Sequence, residues 1–493
     1  MKLNFLIALF SLLSMTSAFS ASARPNILLV LSDDHSIPHV GAYGSNNCAR
    51  FGLTPNLDAL AAEGMRFNRA YTASPQCAPS RTAIFAGRSP VGLSSTRFSQ
   101  PARANVRFFT DVLRAAGYWV GIDGRHQHLN GRKSDLSLVQ ETLTELGMRG
   151  PQFEDRFDHF VEGVSTRPPA LHRVGEKVGS ILDTVPDDQP WFLYFGFNQP
   201  HRGWGEDHDK IDPAKLTLPP DWPDLPEVRL DYARYLADVR ELDTGVGLMM
   251  QALEKRGLDQ KTIVIFMGDN GEALLRGKGT LCTRGIHVPL IVRWPNTVKP
   301  GSVSEALVSG VDLAPTILAA AGLEKAEGMT GLSFLPELKG QRFDGRQAVF
   351  AERGWHWGPI TRSDGFDLLR CVTTDRYHLI FNAIPERKYG PVDMTKGDNI
   401  AWEAVKAAYA NGELSALHVR LYFETPRAIF ELYDLNNDPH QLTNLAGDKS
   451  TADVEEKLRS RLDRWMVLES DYLPLPSHAS QIMKKAANSN RRN

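Results

Sequence analysis

The stretch Asn26-Ile27-Leu28-Leu29-Val30-Leu31-Ser32-Asp33-Asp34-His35 carries the fold in miniature. An unbroken apolar run, Ile27 to Leu31, ends abruptly in side chains able to do chemistry. Such a run, with no polar alternation, fits a parallel strand covered on both faces. The pattern returns three times. Tyr118-Trp119-Val120-Gly121-Ile122 leads into Asp123-Gly124-Arg125-His126-Gln127-His128, and Trp191 to Phe197 leads into Asn198-Gln199-Pro200-His201. Thr262 to Met267 ends at Gly268-Asp269-Asn270-Gly271. Helical spacing fills the intervals. Thr54-Pro55 reads as cap and first position of a helix whose face is Leu57, Leu60 and Ala61 and whose stop is Gly64. The longest helix is predicted from about Tyr232 to Arg256, with Tyr235, Leu236, Val239, Leu242, Val246, Met249 and Leu253 on one face and Gly257 after it. Strand and helix in alternation predict an α/β fold: a large, mainly parallel sheet sandwiched by helices. Ligands in such sheets sit beyond the carboxyl ends of the strands, so the four polar clusters should meet along one edge.

The texture changes after about Arg342. Ala348 to Glu352, Phe366 to Val372, Tyr377 to Asn382 and Ile429 to Leu435 read as short strands, followed by an amphipathic helix over Asp453–Leu468. We expect a catalytic domain over residues 24–341, a smaller antiparallel α+β unit over 342–475, and a flexible basic tail over 476–493. Residues 1–23 read as an export signal. Lys2 precedes an apolar run, Leu3 to Met15, too short to span a bilayer, and Ala21-Ser22-Ala23 suits cleavage. The expectation is a secreted or periplasmic protein with no stable membrane insertion.

The chain has 493 residues, with 56 Lys and Arg against 58 Asp and Glu, a net charge of −2. Near neutrality without a dense basic run argues against nucleic acid as a partner. Four cysteines, Cys48, Cys77, Cys282 and Cys371, are too few for a disulfide scaffold, and none forms a C-x-x-C zinc pattern. Asp33-Asp34 and Asp269-Asn270 are pairs of hard oxygen donors. Either pair alone is what turns and caps use. Two pairs at equivalent strand ends, without Cys or His partners, are better explained by Ca²⁺ or Mg²⁺. Cys77 precedes Ala83 to Gly87, which looks helical. At a helix N-terminus beside Arg81 its thiol is expected to have a lowered pKa and to act as a nucleophile. A small buried residue in a turn is the alternative.

Several motifs occur in order. They are Cys77-x-Pro79-Ser80-Arg81, Pro25-Asn26-Ile27 through Asp33-Asp34, Thr54-Pro55-Asn56-Leu57-Asp58, Gly268-Asp269-Asn270-Gly271, Lys278-Gly279-Thr280 and Val288-Pro289-Leu290-Ile291. Over about Arg24 to Gly340 the chain resembles the type I, formylglycine-dependent sulfatases of the alkaline phosphatase superfamily. Leu432-Tyr433-Asp434-Leu435 with Asp438-Pro439 resembles that family's closing motif. The resemblance implies that a maturation enzyme converts Cys77 to Cα-formylglycine. The hydrated aldehyde then offers two geminal hydroxyls, one to attack sulfur and one to expel the bound sulfate. It implies that Asp33, Asp34, Asp269, Asn270 and residue 77 hold Ca²⁺, and that Arg81 and Lys278 neutralise the transferring group. His128 and His201 become the acid/base pair.

The family segment Gly-Lys-x-His here reads Gly124-Arg125-His126-Gln127-His128. Arg125 replaces the lysine with the charge kept, and His128 is preferred over His126 as the catalytic imidazole. Arg202, His35, Trp204 and His356 are further candidates for touching substrate, and Trp355 and Trp357 for stacking on sugar rings. The segments Asn198 to Trp204 and Leu236 to Gly247 look most like heparan N-sulfatase (N-sulfoglucosamine sulfohydrolase) relatives, a branch that includes bacterial enzymes acting on O-sulfated glycans. The implied activity is hydrolysis of a sulfate ester or sulfamate on a carbohydrate. The alternatives are a phosphatase or phosphodiesterase of the same superfamily and a non-catalytic glycan-binding relative. The first usually places Ser or Thr at the nucleophile and uses His/Asp zinc pairs.

Overall fold

The computed structural model describes residues 24–98, 102–103, 105–125, 127–130, 144–147, 151–161, 166–204, 208, 210–356, 365–392 and 399–476. The export signal, His126, Trp357 and the basic tail of the sequence reading lie outside these residues.

The strands in chain order are β1 (Asn26–Ser32), β2 (Met65–Phe67), β3 (Ala70–Tyr71), β4 (Trp119–Asp123), β5 (His159–Val161), β6 (Trp191–Gly196), β7 (Thr262–Gly268), β8 (Leu290–Arg293), β9 (Ser302–Ser304) and β10 (Val308–Ser309). Eight of them form one sheet in the order β5-β4-β6-β1-β7-β8-β2-β9, and β3 pairs with β10. β1 lies at the centre, parallel to β6 and β7, while β8 runs antiparallel to β7 and β2. The unalternating apolar runs now have their cause. Ile27, Leu29 and Leu31 face one core, with Phe192, Tyr194, Ile263 and Ile265. Leu28 and Val30 face a second core on the other side, with Leu193, Phe195, Val264 and Phe266. Each such side chain, fully enclosed, contributes about 1.5–3 kcal/mol.

The predicted long helix is observed as Pro226–Glu254, six residues longer at its start. The Pro at its first position and buried Val228 extend it beyond the periodicity used to find it. Thr54 does stand at the N-cap position before Pro55, but its hydroxyl makes no capping bond. It donates to Asp58 and accepts from the Gly41 amide instead.

The smaller sheet is antiparallel in the order β11 (Val349–Trp355), β12 (Phe366–Thr373), β13 (Tyr377–Asn382) and β14 (Phe430–Asp434). One face packs Leu369, Cys371, Ile380 and Tyr433 on Tyr71, Leu281 and Ile286 of the main layer. The other packs Val372, Leu379 and Leu432 under Leu458, Leu462 and Met466 of the helix Ala452–Leu468. Helices Ile400–Ala410 and Ala416–Phe423 depart from the simple two-unit picture. Their Trp402, Val405 and Tyr422 join Tyr232, Leu236 and Val239 of the long helix. All four cysteines are free thiols, so no disulfide links the two sheets.

Candidate active site

The carboxyl ends of β1 and β7 lie side by side, Ser32 in register with Gly268. The next residues of each strand therefore meet. Asp33, Asp34 and Asp269 are completely buried, and one carboxylate oxygen of each and the Cys77 sulfur all lie within 4.8 Å of one another. Asp34 takes a left-handed conformation, φ 66°, which turns its amide to donate to Asp269 Oδ1 at 2.9 Å. The Asn270 amide donates to the same oxygen at 2.8 Å. Asn270 Nδ2 donates to Asp34 Oδ1 at 2.8 Å, while its Oδ1 is buried with no hydrogen-bond partner. An orphaned amide oxygen beside three buried carboxylates is a donor set fitted to a hard divalent cation.

Cys77 opens the helix Cys77–Ala86, which starts earlier than the sequence suggested because Pro79 is tolerated in a first turn. Its thiol donates to Asp33 Oδ1 at 3.2 Å and reaches Asp34 Oδ1 at 3.7 Å. The expected lowered pKa is not found. Burial, with Asp33 next, pushes the Cys77 thiol well above its usual value. Helix position and a nearby arginine are outweighed by carboxylates arriving from other strands.

Three cations balance those carboxylates. Arg81, fully buried, donates from Nε to Asp269 Oδ2 at 2.8 Å, and its Nη1 donates to the Tyr194 hydroxyl. Arg125 Nε lies 2.6 Å from Asp33 Oδ2, and Lys278 Nζ lies 2.9 Å and 3.0 Å from the two Asp34 oxygens. Arg125 is delivered by a turn in which Gly124 (φ 76°) and Arg125 (φ 54°) are both left-handed. A Cβ on Gly124 would sit 2.4 Å from the Gly196 carbonyl, so only glycine fits there. Burial opposes charge on Asp33, but Arg125, His201 and Arg81 hold its carboxyl well below the usual range. Burial raises Asp269 to about 6, with Arg81 opposing and Asp33 adding.

Two imidazoles complete the ring. His128 is buried, and one of its ring nitrogens lies within 4.8 Å of an Asp33 oxygen and the Cys77 sulfur. Burial holds it well below the ordinary histidine range. His201 donates from Nδ1 to the Arg202 carbonyl at 2.8 Å, which directs Nε2 toward Asp34 Oδ2, 3.8 Å away.

The other candidates fare differently. His35 is fully enclosed between Ser32, the His39 carbonyl and the Phe266 ring, and burial lowers it to about 3, so it faces the core and not a ligand. Arg202 is committed to both oxygens of Asp231, at 2.9 and 2.8 Å, and lies over the Trp204 ring. The Trp204 indole N–H donates to the Pro200 carbonyl. His356 packs at a tilt of 31° against Phe98, which meets the His128 ring edge-on, so it stands behind that imidazole. Tyr194, Tyr235 and Glu272 were not among the site residues read from the sequence, Tyr235 being placed only on the apolar face of the long helix. The Tyr235 hydroxyl donates to the Asp34 carbonyl at 2.9 Å, and the Glu272 carbonyl accepts the Lys278 amide at 2.7 Å. A tyrosine in an apolar strand or helix face carries no local sign of such a task.

A family model described as Sulfatase matches residues 25–323, and one described as N-sulphoglucosamine sulphohydrolase, C-terminal, matches residues 271–418. The chain is 28% identical over 487 residues to an ulvan-active sulfatase of Formosa agariphila, covering 94% of this chain and 78% of that protein. It is 29% identical over 488 residues to human N-sulphoglucosamine sulphohydrolase, covering 90% of each. A solved structure in complex with its substrate D-glucosamine-2-N,6-O-disulfate superposes with a TM-score of 0.66 at 19% identity, over 92% of this chain and 99% of that one.

Proposed function

The chain belongs to the sulfatase family, and on that premise we propose that it is an exported hydrolase that removes sulfate from a carbohydrate, as a sulfate ester or sulfamate, using formylglycine at position 77 and Ca²⁺. The observation that carries the reading is the setting of Cys77: a fully buried thiol 3.2 Å from Asp33, with its pKa pushed up, is a poor nucleophile as it stands. Conversion to a hydrated aldehyde by a maturation enzyme would supply two hydroxyls there without a thiolate. Asp33, Asp34, Asp269 and the orphaned Asn270 Oδ1 are the residues that would hold Ca²⁺, which would supply charge to a sulfate oxygen. Arg81, Arg125 and Lys278 already balance the three carboxylates, so a bound Ca²⁺ would leave the site net positive and suited to an anionic group. His201 is the preferred proton donor to the departing oxygen, since the Arg202 carbonyl fixes its Nδ1 proton and leaves Nε2 for transfer. His128, kept neutral by burial beside residue 77, suits the role of base.

Relatives named for ulvan and for N-sulphoglucosamine support a sulfated glycan as substrate. Export rests on the apolar leader. Among the described residues no helix is long and apolar enough to cross a membrane. The decisive experiment is mass spectrometry of the peptide over residues 75–81 from active protein, paired with a desulfation screen on defined oligosaccharides. An aldehyde or hydrate at residue 77 with turnover of a sulfated sugar is expected. Sustained turnover by protein carrying an unmodified thiol would overturn the proposal and favour the phosphatase-like alternative.

A further inference from the structure

One face of the helix Pro226–Glu254 carries Asp231, Tyr235, Asp238 and Glu241, at spacings of four, three and three residues. Each holds a different piece of the site. Asp231 accepts both guanidinium arms of Arg202. Tyr235 donates to the Asp34 carbonyl. Glu241 accepts Gln199 Nε2 at 3.2 Å, and the Gln199 carbonyl accepts the Asp33 amide at 3.0 Å. Asp238 pairs with Arg167, whose Nη1 lies 3.1 Å and 2.9 Å from its two oxygens. Arg167 Nη2 then donates to the His201 carbonyl at 2.5 Å.

His201 is thus gripped twice, by Arg167 at its backbone carbonyl and by the Arg202 carbonyl at Nδ1. The first grip fixes where the residue stands along the loop, and the second fixes which way the ring faces. We propose that Arg167, oriented by Asp238, is a positioning residue that holds His201 at the distance needed to protonate the leaving oxygen. This rests on the reading of His201 as proton donor. The geometry favours it over a packing role, because the same guanidinium bridges Asp238 of the long helix and the backbone carbonyl of His201 itself. An ion pair that only fastened Thr166 and Arg167 to the helix would need no bond to His201. Thr166 is already fastened separately, through Asn198 and Gln199. Misplacing a catalytic group by about 1 Å costs on the order of 100-fold.

The test compares an activated aryl sulfate, which needs little protonation on leaving, with a sulfated sugar, which needs much. Arg167→Ala should lower kcat on the sugar about 10- to 100-fold and on the aryl sulfate by less than about 3-fold, with KM nearly unchanged. Arg167→Lys should recover part of the loss, and Asp238→Asn should reproduce it. In a His201→Ala background Arg167→Ala should cost almost nothing more. Equal losses on both substrates, or effects that add to those of His201→Ala, would overturn the proposal. If Arg167→Ala fails to fold, Arg167→Lys and Asp238→Asn carry the same comparison. Should His201→Ala itself slow both substrates equally, the donor reading falls, and additivity still decides whether Arg167 acts through His201.

Discussion

Glu352 lies on β11 with no exposed surface, and its carboxyl oxygens make no hydrogen bond of good geometry, the Ser74 hydroxyl lying near enough only to oppose the effect of burial. Arg370 comes within 4.0 Å of it but is committed to Asp471, with Nε to Oδ2 at 2.5 Å and Nη2 to Oδ1 at 2.9 Å. Burial, against the pull of Arg370, raises this carboxyl from 4.5 to about 8. In the unfolded chain it titrates near 4.5. Between those two values the unfolded state has released its proton while the folded state still holds one. Stability therefore falls as pH rises through this window, by about 1.4 kcal/mol per unit, and levels off above the folded pKa. At pH 7 the penalty is about 3 kcal/mol. Glu352→Gln keeps the shape of the neutral acid and removes the titration. Near pH 4.5 variant and wild type should differ by less than about 1 kcal/mol; the variant should be the more stable by about 3 kcal/mol at pH 7 and by about 4 kcal/mol at pH 8. Thermal melts of both proteins at matched scan rate across pH 4.5–8.5 measure this, since large proteins often unfold irreversibly. A stability difference that stays constant, or shrinks as pH rises, would refute the assignment of a buried neutral acid at this position.

Removing Ca²⁺ with a chelator should abolish activity and lower the melting temperature, and restoring the ion at 100 times its Kd should return about 2.7 kcal/mol; a melt indifferent to Ca²⁺ would sink the proposed donor set, and Asn270→Ala should weaken the ion's effect. His128→Ala should damage turnover more than His126→Ala, and the reverse order would show that the wrong imidazole of the loop has been assigned to catalysis. Cys77→Ser, made without a serine-converting maturation enzyme, should give at most one slow stoichiometric burst and then stop, because a single hydroxyl lacks the second oxygen needed for release; steady turnover would contradict the geminal-diol route.

What could be read from the sequence, and what could not, divides along contact distance. Strands β1, β6 and β7 were legible because a strand buried on both faces needs apolar side chains at every position, and that need is written locally. Asp33, Asp34, Asp269 and Asn270 were legible for a related reason: they follow such strands, and parallel register then brings them together without further information. His35 shows the limit. It is next in line after the Asp33-Asp34 pair, yet the backbone turn at Asp34, φ 66°, sends its ring back to Phe266 and Ser32. The Cys77 thiol shows it again. Its own helix and Arg81 argued for a lowered pKa, while the groups that raise it lie 44 and 192 positions away, at Asp33 and Asp269. The Arg167–Asp238 pair spans 71 residues, and each partner alone is an ordinary charged side chain beside a loop or on a helix. Electrostatics in a buried site sum over everything within a few ångströms, and sequence reports only the part of that sum contributed by neighbours in the chain. The identity of a site built at strand ends is therefore written in motifs. Its pKa values and its positioning contacts are properties of the assembled edge, and they appear only when the strands are laid side by side.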